Sequence, residues 1–282
     1  MPLESIATQS TLQKVGMRTS RMVTVLISNA IPIVGVLRYG WSASNVLVLY
    51  WLESLLIAIF TCLRIAAHCL LTRRKGHWRE GQLTPSPGNL GKHAVMLRDY
   101  AGVAFAFTFA HGIFVVGLTY ILAMNHPDSP AWGFDFVAFR HGALLLVGVL
   151  AVELCLDLTG MRMRPFAWMR AYVQQRMGRV LVLHLAIIFG MVGAAATDSP
   201  YAILYVLIGL KTLSDLAMSN AGDAPAPTAD HPPPWLIKVS ARVGKGKISG
   251  ADLQQQWQDS REAARKHAIE DEQVMPPKNG PR

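Results

Sequence analysis

The stretch from Asn45 to Leu63, NVLVLYWLESLLIAIFTCL, constrains this chain more than any other. It is close to the roughly 20 apolar residues that a helix needs to cross a bilayer. In hydrocarbon, every backbone N–H and C=O must be bonded within the segment, so such a stretch crosses as a helix. Yet it carries Glu53 near its middle. A carboxylate at that depth costs about 3 kcal/mol unless it faces protein or water. Other segments must therefore supply a polar interior around it.

Composition agrees that lipid is the solvent for much of the chain. Of 282 residues, 51% are hydrophobic and 16% charged, where a soluble chain carries charge on about a quarter. Mean hydropathy is +0.28 and the pI is near 9.7. Lys and Arg number 27 against 18 Asp and Glu, a net charge of +9. Such a surplus would also suit nucleic acid. Its placement between apolar segments is the positive-inside pattern instead. The expected partner is the lipid bilayer, with anionic lipids at the cytoplasmic face, and no nucleic acid. Cys62, Cys69 and Cys155 lie in or beside apolar segments without CxxC or Cys/His spacing. They read as small apolar side chains, not as a disulfide framework.

The fold expected is all-α: a bundle of about six transmembrane helices, N-in and C-in, with a largely disordered cytoplasmic tail. Residues 1–21 form a cytoplasmic segment with Lys14, Arg18 and Arg21. The transmembrane domain covers 22–218, with spans near 22–37, 45–66, 100–122, 141–160, 180–197 and 200–218. Ser28-Asn29-Ala30 loosely fits a signal-peptide cleavage site, but the apolar core before it is too short. The first run is read as a short span loosened at Pro32. Tyr39 and Trp41 suit an interfacial aromatic belt. In the third span, Gly102, Ala106 and Ala110 recur every four residues, a stripe that lets a neighbouring backbone approach. Between the fourth and fifth spans lie Arg162, Arg164, Arg170, Arg176 and Arg179 with no acid, a segment expected to include a short helix at the lipid surface.

Orientation follows from the cations. With the N-terminus inside, the first three cytoplasmic segments hold three, six and five Lys or Arg, and the external loops hold Arg38 and Arg140. The chain is therefore placed in the cell (inner) membrane as a multi-pass protein. Residues 219–282 form a Pro-rich, basic tail beginning near APAPTADHPPP. A short helix is expected over 251–273, with Glu262/Lys266 and Lys266/Glu270 at i, i+4 spacing.

Intramembrane ionisable groups are the default functional candidates. Counting about 1.5 Å per residue from the cytoplasmic end of each span divides them into two tiers. Asn29, Glu53 and His111 form a candidate polar midplane cluster, with Glu53 about 20 Å deep. Glu153, Asp157, Arg179, His184, Lys211 and Asp215 form a candidate cytoplasmic-side ionic network, with Lys211 about 10 Å deep. Structural ion pairing is the plain account of the lower tier. A proton or ion relay is its sharper account. For the upper tier the plain account is a structural hydrogen-bonded cluster and the sharper ones are transport or proton handling and metal-dependent chemistry, with Glu53 held neutral or paired with His111. No HExxH, GxSxG or P-loop spacing supports catalysis, no metal site is assigned, and no cofactor is indicated. His126, Asp128, Asp135 and His141 near the external face read as a solvated loop. His68, His77 and His93 in or beside the basic loop show no ligand spacing.

Several strings together carry a resemblance: SNAIPIVGVLRYGW, YWLES, HGIF, RVLVLHLAIIFG and LKTLSDL. The chain resembles, over roughly 22–218, a family of prokaryotic multi-pass membrane proteins known as a domain of unknown function. The resemblance implies an integral membrane fold, with Asn29, Trp41, Glu53, His111, Arg179, His184, Lys211 and Asp215 in the matching strings, and brings no activity or cofactor. Three functions stay open: small-solute or proton/ion transport through a polar helix-bundle interior, an intramembrane metal-dependent enzyme using Glu and His, and a non-catalytic membrane scaffold or sensor. The balance leans away from an enzyme.

Overall fold

The computed structural model describes residues 25–82, 88–125, 127–178, 201–220 and 250–276, together with residues 23 and 189. The described chain is helical, without strands; two isolated antiparallel bridges pair Arg74 with Val274 and Arg79 with Leu90. The helices are α1 (Val25–Tyr39), α2 (Ala43–Thr72), α3 (Val95–Asn125), α4 (Phe136–Thr159), α5 (166–178), α6 (Tyr201–Asn220) and α7 (Gly250–Asp271). Of these, α2, α3 and α4 are long and apolar enough to cross a membrane. The expected fifth span, with Arg179 and His184, lies outside the described residues, as does His126.

Helix α2 is the hub. It touches α3, α4 and α6, and its buried positions run from Ala43 and Val46 through Tyr50, Glu53, Ile57, Thr61, Arg64 and Ile65 to His68. Steps of three and four residues put these on one side of a helix. Ser42 starts α2 by accepting the Asn45 N–H at 3.1 Å, a side-chain N-cap. Just before it, Gly40 turns the chain at φ +63, a conformation glycine adopts without steric cost. The turn brings Trp41 back onto α1, where its N–H reaches the Gly35 carbonyl at 3.0 Å. Helix α1 continues through Pro32, so the break expected there takes the form of a lost hydrogen bond inside an unbroken helix.

The outward faces are apolar. Phe109, Val116 and Ile121 of α3 and Leu144, Leu145 and Val152 of α4 are exposed, an arrangement that suits lipid and would be a liability in water. The Gly102/Ala106/Ala110 stripe lies on such an exposed face; the close helix approach occurs elsewhere. At Gly112, an added Cβ would meet the Trp51 indole at 2.5 Å, and Trp51 Nε1 donates to the Thr108 carbonyl at 2.9 Å.

One loop expectation is corrected. The arginine-rich segment after α4 does not offer its apolar face to lipid. Phe166, Met169, Tyr172 and Val173 of α5 are buried with Ala58 and Ile65 of α2 and Met96, Tyr100 and Ala104 of α3, because that side of α5 is large and apolar and finds a partner in the bundle. In the connection between α3 and α4, Asp128, Asp135 and His141 are exposed, as a solvated loop requires. Asn45 exchanges two hydrogen bonds with the Asp135 backbone, both 2.9 Å, and Asp135 caps α4 by accepting the Val137 and Ala138 N–H groups.

The short helix expected over 251–273 is present as α7, and the chain after it is bonded to the rest of the molecule. Residues 250–276 form a helix followed by an extended segment bonded to the α2–α3 loop. Lys75 N–H donates to the Gln273 carbonyl and Met275 N–H to the Arg73 carbonyl, each at 2.8 Å. Arg79 donates to Asp271 and Glu270 at 2.6 Å each, and Gln82 reaches the second Asp271 oxygen at 3.0 Å. The Arg79 hydrogen bond holds the Glu270 carboxyl below its ordinary range. A composition that looks disordered is ordered here because two buried side chains, Arg79 and Asp271, satisfy one another.

Candidate functional site

Glu53 is 2% exposed, and the cation facing it comes from α6. Lys211 Nζ lies 3.3 Å from Glu53 Oε1. It donates to Asn29 Oδ1 at 2.8 Å and to Asp215 Oδ2 at 3.1 Å. An ammonium has three N–H donors, and these three oxygens give it one acceptor each. Asn29 Nδ2 closes the ring by donating to Asp215 Oδ2 at 3.0 Å, and Thr212 Oγ1 donates to Asn29 Oδ1 at 3.3 Å. The ammonium also lies 5.3 Å from the centre of the Tyr50 ring, within cation–π range.

Local sequence puts these groups in reach. Lys211 and Asp215 are one helical turn apart on α6, and Tyr50 and Glu53 are three apart on α2, so each pair shares a face. Asn29 is anchored to α1 by its other amide hydrogen, which meets the Val25 carbonyl at 2.8 Å. Val46, Leu47, Tyr50, Val115, Trp132 and Leu207 form the apolar cluster nearby. In a setting of low polarity such ionic contacts are strong, and so is the penalty for removing one partner.

A second ionic cluster sits farther along α2, centred on Arg64, about 16 Å from Glu53 by helical rise. Arg64 Nε donates to Asp157 Oδ2 at 2.8 Å, and its Nη2 lies 3.6 Å from Glu153 Oε2. Arg164 donates to Asp157 Oδ1 at 3.0 Å, and Arg176 to Glu153 Oε1 at 2.9 Å. Arg64 and Arg176 both lie over the Tyr172 ring, at 5.4 and 4.9 Å, and Arg164 lies over Trp168 at 4.0 Å. The division by depth thus regroups. Lys211 and Asp215 join Glu53 and Asn29, while Glu153 and Asp157 belong with three arginines.

His111 is buried on α3 and stacks on Phe107, with ring centres 6.2 Å apart. The histidines of the basic loop form a pair that spacing did not reveal. His68 Nδ1 and His77 Nε2 are 2.7 Å apart, and His68 Nε2 is 3.1 Å from the Arg164 carbonyl. Sequence reasoning also missed Arg164 and Arg176, whose signal was the nearby Glu153/Asp157 pair at i, i+4 with no basic residue on its own helix face. Among the described residues, no three His, Cys, Asp or Glu side chains gather closely enough to hold a metal ion.

These elements define a helical protein with segments apolar enough to cross a membrane and charged groups enclosed between them. Residues 11–231 match DUF6498, a family of unknown function, and the chain belongs to that family. No curated protein matches it, and no solved structure does.

Proposed function

We propose that this is a multi-pass inner-membrane protein of six spans, N-in and C-in, that moves protons or a small cation through the Lys211–Glu53–Asp215–Asn29 site. One observation carries the reading: a buried ammonium held by two carboxylates and an amide oxygen that come from three different helices. Carboxylates enclosed among apolar helices are groups that can take up a proton or a small cation.

The chemistry is simple. Lys211 acts as a tethered cation on a flexible stem. When a proton or cation reaches Glu53 or Asp215, the attraction that holds Lys211 weakens and its ammonium is displaced or deprotonated. When the ion leaves, Lys211 returns. Asn29 links α1 to the same oxygens and so couples that helix to the occupancy of the site. Coupling between occupancy and helix position is what alternating access requires.

The test is ion flux in proteoliposomes. Wild-type protein should dissipate an imposed pH gradient faster than empty vesicles, and Glu53→Gln should reduce that rate at least about tenfold, corresponding to 1.4 kcal/mol in a barrier. Unaltered flux in Glu53→Gln would sink the proposal.

A further inference from the structure

The segment after α7 has a second set of contacts beyond those with the α2–α3 loop. The Glu272 carboxylate accepts two backbone hydrogen bonds, from Phe166 N–H at 3.0 Å and from Ala167 N–H at 2.9 Å. These belong to the first turn of α5, where backbone N–H groups have no partner within the helix. A carboxylate there satisfies two of them and meets the positive end of the helix dipole. Glu272 is thus an N-cap supplied from a distant part of the chain. On its other side, Arg74 binds Glu272 through the Glu272 carbonyl and through an ion pair of 3.8 Å with its carboxylate.

What α5 carries gives this contact its consequence. Arg176 within α5 and Arg164 just before it supply two of the three guanidinium groups on Glu153 and Asp157. The third, Arg64, belongs to α2. Among the described residues, three guanidinium groups meet these two acids, and two of the three come with the α5 segment.

We propose that residues 271–276 are an intramolecular strap whose docking on the α2–α3 loop fixes the start of α5, and with it the placement of Arg164 and Arg176 on Asp157 and Glu153. The strap is suited to reversible release. It is held by two backbone hydrogen bonds to the loop, by the Arg79 ion pairs and by Glu272, and has no large buried apolar anchor of its own among the described residues. Arg73, where the loop begins, is the one described non-glycine residue at positive φ, at 49 degrees. Both its carbonyl and its guanidinium bind the strap, through Met275 and Pro276. Arg73 takes this conformation as the C-cap of α2, its N–H reaching the Cys69 carbonyl at 3.0 Å, and the strap binds the residue held there.

Hydrogen exchange of the full chain in lipid nanodiscs tests the strap without relying on transport. Two variants attack it from different ends. Glu272→Ala removes the cap from α5. Met275→Pro removes the N–H that pairs with Arg73 and touches nothing in α5. Each should raise exchange at Phe166 and Ala167 by about fivefold or more, the effect of losing a helix cap, and the rise should extend along α5 to Arg176. The coupling is refuted if Met275→Pro frees residues 73–77 while α5 keeps its protection. Wild-type protein that shows no protection at Lys75 and Met275 refutes docking itself. If Glu272→Ala does not fold, Met275→Pro alone decides. Loss of flux in Glu53→Gln bears on the transport reading, and neither result stands in for the other.

Discussion

At Lys211, three hydrogen-bonding directions converge on oxygens of α1, α2 and α6, so one side chain ties three helices together. Removing it takes the shared cation from Glu53 and Asp215. Lys211→Met should destabilise the fold by about 3–5 kcal/mol, the usual penalty for leaving buried charge unpaired. Unfolding in mild detergent would measure it. Adding Glu53→Gln to Lys211→Met should recover part of the loss, because the uncompensated charge goes with it. A double-mutant cycle would show this as non-additivity, and strict additivity would mean the two groups do not interact. Arg64 plays the corresponding part in the second cluster, but by a planar fork. Arg64→Lys should therefore be costly despite keeping the charge, since a point ammonium cannot face Asp157 and Glu153 with the same geometry.

At the scale of elements, the joints between helices are the sensitive places. Gly112 lets α3 approach the Trp51 indole of α2. Gly112→Ala forces the helices apart or the indole out of place and should cost about 1–3 kcal/mol, read as a lowered midpoint of unfolding. The turn after α2 has its own pH dependence. His68 Nε2 faces a carbonyl, which only accepts, so that nitrogen carries the hydrogen. Nδ1 of neutral His68 then accepts, and His77 Nε2 must donate. His77 Nδ1 is left buried without a partner, and burial pushes this imidazole down to about 3 from an ordinary 6.5. The unfolded chain therefore takes up this proton first. The stabilisation from His77 is complete above about pH 6.5 and is lost progressively as pH falls toward about 3. The melting temperature should fall on acidification through that range, and His77→Gln, which does not titrate, should flatten the profile. An unchanged profile would mean that His77 is not buried in solution.

For the whole molecule, the six-span, N-in and C-in arrangement we propose makes an accessibility prediction. A cysteine replacing Tyr39 should react with an impermeant thiol reagent from the external side, and one replacing Lys266 only after the membrane is opened. Labelling of both from the same side would overturn the topology. The docked strap also changes how the molecule is divided. The C-terminal helix α7 is held to the α2–α3 loop through Arg79, so this part of the tail packs with the helices instead of standing apart from them.

The apolar runs by themselves determined that the described chain is helical and that α2, α3 and α4 are long enough to span a bilayer, because a segment without water has no other way to satisfy its backbone. They also singled out Glu53, because its cost could be read from its neighbours alone. What the runs could not supply was the partner. A count along a helix gives height but neither rotation nor tilt, and it placed Lys211 about 10 Å below Glu53. The folded chain brings the two within 3.3 Å. Tertiary structure likewise decided that Arg164 and Arg176 turn inward to two acids of α4, and that Glu272 caps a helix more than a hundred residues away. Such choices depend on which faces meet, and a hydrophobic period is silent about the charged side chain on the far helix. Glu53 was legible as a demand; only the fold showed that Lys211 answers it.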